Sequence, residues 1–130
     1  MTIVFTNGCF DIIHRGHVEL LKYARSIGDH LVVGINSDES VRKNKGKDRP
    51  INSEHDRYAI LESFRFVDDV VIFKEDTPIN LIKQIKPDII VKGGDYLKED
   101  VVGFDFCEVR IFDYLDGYST TKIIEDTFNR

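Results

Sequence analysis

Short runs of β-branched and other apolar residues alternate with helical patterns along the chain, and this alternation restricts the possible folds most strongly. The runs predict five strands, at residues 3–5, 31–35, 69–73, 88–91 and 108–112. Helical patterns separate the first four, so their connections are expected to be right-handed crossovers between parallel strands. We therefore predict a single doubly wound α/β domain, residues 1–130, with a mostly parallel five-stranded sheet.

Capping signals predict where the helices begin. The first helical pattern covers residues 16–27 and stops at Gly28. Four further helix starts are predicted: Ser37 or Asp38, Ser53, Pro78 as a first helical residue, and Ser119 for a last helix to residue 128.

Composition excludes several classes of protein. A chain of 130 residues with 42% hydrophobic and 32% charged residues has the size and balance of one globular domain. Two cysteines are too few for a disulfide framework, and no apolar run approaches the roughly 20 residues of a membrane span. The net charge of −5 argues against nucleic-acid or membrane partners. A cytoplasmic location is expected.

Positive charge is concentrated in one segment. Residues 42–49, RKNKGKDR, hold five basic side chains and one acidic one. A solvated surface loop is the plainer interpretation of such a run. The alternative is a loop that closes on a multiply charged anion.

Glycine, histidine and hydroxyl side chains follow the strands, where an open parallel sheet binds its ligands. His14 and His17 bracket Gly16 at the start of the first helix. A helix N-terminus offers unpaired N–H groups to an anion, and two imidazoles there can donate to phosphate oxygens. Two unrelated histidines, or half of a metal site, are the alternatives.

The pattern Phe10-Asp11-x-x-His14-x-Gly16-His17 after a strand resembles the signature of the cytidylyltransferase-like nucleotidyltransferases. The resemblance extends through residues 34–41, 49–52, 57–61, 67–71, 86–96 and 116–124. Segments NGCFD, GINSD, RPIN and VKGGDY are most similar to heptose-1-phosphate adenylyltransferases. Residues 64–71 and 118–123 are also similar to glycerol-3-phosphate cytidylyltransferase.

This resemblance implies a Rossmann-like fold and transfer of a nucleoside monophosphate from a triphosphate to a sugar or polyol phosphate, with release of pyrophosphate. ATP and D-glycero-D-manno-heptose 1-phosphate, giving ADP-heptose, are the first expected pair. CTP and glycerol 3-phosphate, giving CDP-glycerol, are the alternative substrate pair. A third hypothesis is a nucleotide-sensing domain without catalytic activity. Mg²⁺ is expected to arrive with the triphosphate, and the enzyme is expected to be a homodimer.

The resemblance also assigns roles to individual residues. The expected catalytic residues are His14, His17 and Arg57. The expected nucleotide-binding residues are Asn7, Gly8, Cys9, Phe10, Gly16, Lys92, Gly93, Asp95, Ser119, Thr120 and Thr121. The expected residues of the acceptor-phosphate site and its lid are Asp11, Asn36, Asp38, Lys45, Lys47 and Arg49.

Several of these roles have alternatives. For Asp11, orientation of a histidine and contact with the metal through water both stay open. Asn7 is compatible with contact to either substrate, and Lys92 with contact to the nucleotide or the sugar. Packing is the plainer interpretation of Cys9, and Asp95 is equally a turn residue. Ser119 to Thr121 also suit a simple helix cap.

Overall fold

The computed structural model describes residues 1–113 and residue 124. Within this part the chain forms strands β1 (Ile3–Gly8), β2 (His30–Asn36), β3 (Asp69–Phe73), β4 (Ile89–Gly93) and β5 (Glu108–Phe112). The helices are α1 (Arg15–Ser26), α2 (Asp38–Lys45), α3 (Glu54–Glu62) and α4 (Ile79–Ile85), with a 3₁₀ helix at Lys98–Asp100. The predicted last helix, 119–128, lies outside the described residues.

The five described strands form one sheet in the order β3-β2-β1-β4-β5, and every neighbouring pair is parallel. This confirms the predicted doubly wound, Rossmann-like arrangement. The chain winds from β1 to β3 in one direction and then returns to place β4 on the other side of β1. The order therefore reverses between β1 and β4, which makes their carboxyl ends the topological switch point.

Hydroxyl side chains cap two helices as their sequence signals predict. Ser37 caps α2 by accepting a hydrogen bond from the Ser40 N–H, and Ser53 caps α3 by accepting one from the Asp56 N–H. The prediction at Pro78 was wrong by one residue, since Pro78 is the N-cap of α4 and not its first helical residue.

Alternation of side chains along the strands produces apolar clusters on both faces of the sheet. Val4 of β1 belongs to the cluster that packs under α1 and α3, with Leu21 and Leu61. Its neighbour Phe5 belongs to the opposite cluster, with Ile82 of α4. Successive residues of a strand point to opposite faces, so both faces of β1 are covered.

The connection between β4 and β5 packs against the second face, which the sequence did not predict. Val101 is buried there with Ile90 and Val109. Gly103 has a φ of 98°, and a Cβ at this position would lie 2.5 Å from Cδ1 of Ile90. A close backbone approach therefore requires glycine here. No helix in the described part of the chain is long and apolar enough to cross a membrane.

Replacing Leu21 with alanine tests the core. Leu21 is 0% exposed, so its truncation is expected to lower the free energy of unfolding by about 2–5 kcal/mol. Leu97→Ala makes the same chemical change at a side chain that is 64% exposed, and is expected to cost less than about 0.5 kcal/mol. Urea unfolding of both variants measures the difference, and equal losses would contradict the assigned core.

Candidate functional site

The sheet opens at its switch point. Residues of β1 pair with β2 up to Gly8 and Ile35, whereas the pairing of β1 with β4 ends at Phe5 and Ile90. Beyond that point side chains join the two strands, and the Thr6 hydroxyl donates to the Val91 carbonyl at 2.8 Å. Because β1 and β4 stop pairing, the sheet opens at their carboxyl ends, where an open α/β sheet binds ligands, and we call this opening the cleft.

The turn after β1 is packed tightly by Phe10. Phe10 has a φ of 48° and is buried, and a Cβ at Gly8 would lie 3.2 Å from its ring. The Phe10 ring also contacts the His17 ring, with 5.1 Å between centroids. Phe10, which was predicted to bind nucleotide, therefore packs against His17, and Gly8, with the same prediction, leaves room for the Phe10 ring.

The two histidines meet at the first turn of α1. His14 is the N-cap, and its Nδ1 accepts a hydrogen bond from the Gly16 N–H at 3.0 Å. His17 Nδ1 accepts one from the His14 N–H at 3.3 Å. The rings stack with 3.9 Å between centroids, so the predicted pairing is present in the structure.

These hydrogen bonds determine the tautomer of both rings. A backbone N–H can only donate, so each Nδ1 is unprotonated and the ring hydrogen of a neutral imidazole lies on Nε2. Burial lowers the pKa of His14, while burial and then the neighbouring His14 lower the pKa of His17 to about 3. Both rings are therefore neutral Nε2–H donors at neutral pH.

Asp11 fastens the end of the basic segment to the turn after β1. Its fully buried carboxylate accepts hydrogen bonds from the Ile51 and Asn52 N–H groups, both at 2.8 Å, and from Arg49 Nε at 3.2 Å. The Asn52 amide donates to the Asp11 carbonyl at 3.0 Å. Both carboxylate oxygens are thus engaged by residues 49–52, an arrangement different from either role expected for Asp11.

The buried side chain of Arg57 links the segments after β1 and β2 to α2 and to the loop before α3 through hydrogen bonds. Its side chain is 0% exposed and donates to the carbonyls of Asn52 at 3.0 Å, Cys9 at 2.9 Å and Asn36 at 2.7 Å. It also donates to the Asp38 carboxylate at 2.8 Å. Because the guanidinium is fully buried and held by these acceptors, we correct the expected catalytic role of Arg57 to a positioning role.

Three further predicted site residues are held in the same network. The Asn36 amide donates to Ser40 Oγ at 3.1 Å, and the Asp38 N–H donates to Glu54 Oε1 at 2.9 Å. Cys9 Sγ lies 3.9 Å from Asn36 Oδ1. These groups lie in the segments that follow β1 and β2, on the β2 side of the cleft.

The first half of the basic segment, residues 42–49, is helical. Residues 42–45 form the last turn of α2, which ends at Gly46 with a φ of 102°. Lys45 and Lys47 are exposed, whereas Arg49 is mostly buried and paired with Asp11. The expected lid is therefore reduced to a short exposed turn that is fixed at both ends.

Lys92 closes the other side of the cleft. Its ammonium donates to the Asn7 carbonyl at 2.9 Å and to Asn7 Oδ1 at 3.3 Å, and lies 4.8 Å from the centre of the Tyr96 ring. Gly93 is buried behind it, and Asp95 is exposed. Ser119, Thr120 and Thr121 lie outside the described residues, so their expected phosphate contacts stay predictions.

Sequence reasoning missed Asn52 and Glu54 as parts of this site. Asn52 stands in the RPIN segment that carries the resemblance, which was the available signal. Its partners Asp11 and Arg57 were instead expected to contact substrate. Among the residues that the structure describes, no three His, Cys, Asp or Glu side chains converge on a possible metal position.

Comparison with known proteins identifies relatives over almost the whole chain. The cytidylyltransferase-like family model matches residues 5–126. Over 124 residues the chain is 59% identical to "Bifunctional protein HldE" of Campylobacter fetus and 56% identical to that of Helicobacter pylori. Each match covers 95% of this chain and 27% of the relative, so the chain spans about a quarter of the length of these proteins.

Two solved structures are similar to this chain in fold. The lipopolysaccharide core biosynthesis protein of Thermoplasma volcanium is 32% identical, with a TM-score of 0.72 over 92% of this chain and 99% of that one. Pantothenate synthetase of Thermus thermophilus is 18% identical, with a TM-score of 0.60 over 88% of this chain and 56% of that one. The second similarity shows the fold alone.

Removal of the Asp11 carboxylate tests the network. Asp11→Ala leaves two backbone N–H groups and Arg49 without their acceptor, so we expect a loss of about 3 kcal/mol in the free energy of unfolding. Amide hydrogen exchange at residues 51 and 52 should accelerate. Asp76→Ala, which removes an exposed partner of Lys43, is expected to change stability by less than about 0.5 kcal/mol. Unchanged exchange in Asp11→Ala would contradict the assignment.

Proposed function

Because this chain belongs to the cytidylyltransferase-like family and is a nucleotidyltransferase, we propose that it transfers an adenylyl group from ATP to the phosphate of a heptose 1-phosphate. Pyrophosphate and an ADP-sugar are the products. The choice of substrates is supported by the similarity of NGCFD, GINSD, RPIN and VKGGDY to heptose-1-phosphate adenylyltransferases. Relatives named HldE, at 56–60% identity, support it further.

The observation that carries this proposal is the stacked imidazole pair at the start of α1. An oxygen of the acceptor phosphate attacks the α-phosphorus in line, and the bond from that phosphorus to the oxygen leading to the β-phosphate breaks. Negative charge grows on the departing pyrophosphate. Nε2–H donors of His14 and His17 stabilise that charge at the positive end of the α1 dipole.

Neutrality of the imidazoles suits this chemistry. An acceptor phosphate is already anionic, so the reaction requires no base to activate the attacking group. The histidines consequently act as hydrogen-bond donors and exchange no proton with the substrates. Burial lowers the pKa of both imidazoles, and His17, with a pKa of about 3, stays neutral around pH 7.

The remaining side chains divide between positioning and binding. Arg57 and Asp11 hold the turns after β1 and β2, so that the two substrates meet with little freedom of orientation. The exposed Lys45 and Lys47 of the basic segment bind the acceptor phosphate in this proposal. Ser119, Thr120 and Thr121 bind the β- and γ-phosphates.

Mg²⁺ enters this proposal as part of the substrate. The Asp11 oxygens are engaged by residues 49–52, and the described part of the chain offers no cluster of three metal-binding side chains. A magnesium ion bound to triphosphate takes its other ligands largely from water. When bound, the ion neutralises phosphate charge.

Pyrophosphate release tests the proposal. With Mg²⁺, each of the four nucleoside triphosphates is combined with heptose 1-phosphate or glycerol 3-phosphate. We expect pyrophosphate release only when ATP is combined with heptose 1-phosphate. His17→Ala should lower kcat by about 10²–10³ because a transition-state donor is lost, whereas His55→Ala, at an exposed histidine, should retain kcat.

Other outcomes of this assay contradict the proposal. Release from CTP and glycerol 3-phosphate alone would assign the alternative substrates. Tight nucleotide binding without release from any pair would indicate a sensor. Full activity of His17→Ala would remove the imidazole pair from the mechanism.

A further inference from the structure

The cations around the cleft differ in how their charge is compensated. Arg49 is paired with Asp11 at 3.2 Å, and Arg57 is paired with Asp38 at 2.8 Å. Within residues 1–113, by contrast, no carboxylate lies within ion-pair distance of the Lys92 ammonium. Within the described part of the chain, Lys92 is therefore a half-buried cation whose protein partners are neutral.

The surroundings of Lys92 fix its ammonium across the mouth of the cleft. Its two hydrogen bonds run from the end of β4 to the carbonyl and amide oxygens of Asn7 at the end of β1. The Tyr96 ring lies 4.8 Å from it. An ammonium has three N–H donors, and Asn7 takes two of them. Within residues 1–113 the third donor has no hydrogen-bond acceptor, so it is available to a ligand.

Among residues 1–113, the titratable groups that face Lys92 are Cys9, from the turn after β1, and Tyr96, from the turn after β4. Burial lowers the pKa of Lys92 to about 8, and the Cys9 thiol opposes this shift. Loss of hydration is thus only partly offset by the protein. An anion bound beside Lys92 would stabilise the charged ammonium and so offset the rest of this loss of hydration.

The position of Lys92 in the sheet indicates which anion it meets. The exposed Lys45 and Lys47 follow β2, on one side of β1, whereas Lys92 ends β4, on the other side. The imidazole pair follows β1 itself and lies between them in the order of the sheet. Two substrates that meet at the imidazoles would approach from these two sides.

We propose that Lys92, oriented by Asn7, binds a phosphate oxygen of the nucleotide, while the acceptor phosphate binds on the β2 side. This inference rests on the proposed function. It names the residue whose positive charge balances the negative charge of the nucleotide phosphates. A consequence is that nucleotide binding draws a proton from the buffer onto Lys92 above neutral pH.

Isothermal titration calorimetry of the full chain with ATP and with adenosine tests this assignment. Lys92→Met should bind ATP about 10- to 100-fold more weakly at pH 7, since a charge-assisted hydrogen bond is lost. Its affinity for adenosine should stay within about twofold because adenosine has no phosphate. Lys22→Met, at an exposed lysine on α1, is the matched control and should bind both ligands as the wild type does.

Proton uptake supplies a readout that a merely structural lysine would not change. Titrations of ATP at pH 8 in two buffers of different ionisation enthalpy should show uptake of a fraction of a proton by the wild type. Lys92→Met should lack that fraction. Lys92→Gln, which keeps a polar group facing Asn7, should also lack it.

Three results would overturn the inference: unchanged ATP affinity in Lys92→Met, equal loss of ATP and adenosine affinity, or loss of affinity for the acceptor phosphate in place of ATP. The proposed function fails separately. If ATP binding depends on Lys92 but no acceptor releases pyrophosphate, the inference stands and the transfer reaction does not.

Discussion

Two hydrogen bonds from the backbone to imidazole nitrogens determine the chemistry of this site. Because Gly16 and His14 donate their N–H groups to Nδ1 of His14 and His17, each ring carries its hydrogen on Nε2. Stacking of the rings and their burial disfavour a positive charge on either one. The start of α1 therefore presents neutral donors at the point where the sheet diverges. Donors of this kind suit a reaction that moves charge between phosphate oxygens without moving a proton.

Most of the charged side chains around these donors form ion pairs that hold the backbone of the site in place. Arg57 holds the carbonyls that end β1 and β2, and its charge is compensated by Asp38. Asp11 and Arg49 form the second such pair and fasten the basic segment. Burying these groups costs hydration free energy, which the dense hydrogen bonding offsets, and the arrangement holds the turns in one geometry. Lys92 differs in having neutral partners, which is why charge compensation singles it out.

Features encoded within a few residues were predictable from the sequence. Alternating apolar runs predicted the parallel strands, and the spacing of His14 and His17 predicted their meeting at a helix start. The network around Arg57 was not predictable in this way. Its hydrogen bonds join residues 48 and 21 positions apart, and the same arginine in the sequence is equally compatible with a phosphate contact. The partners of Asp11 lie 38 to 41 positions away, so the resemblance supplied the residues without their contacts.

Nitrogen-15 NMR of the imidazole rings tests the central claim most directly. Long-range proton–nitrogen correlations distinguish the two tautomers and follow their protonation as the pH is lowered. We predict Nε2–H tautomers for His14 and His17 at pH 7, a neutral His17 down to about pH 4, and changes in the Nε2 signals when ATP is added. An Nδ1–H tautomer in either ring, or protonation of His17 near the ordinary histidine value of about 6.5, would contradict the account.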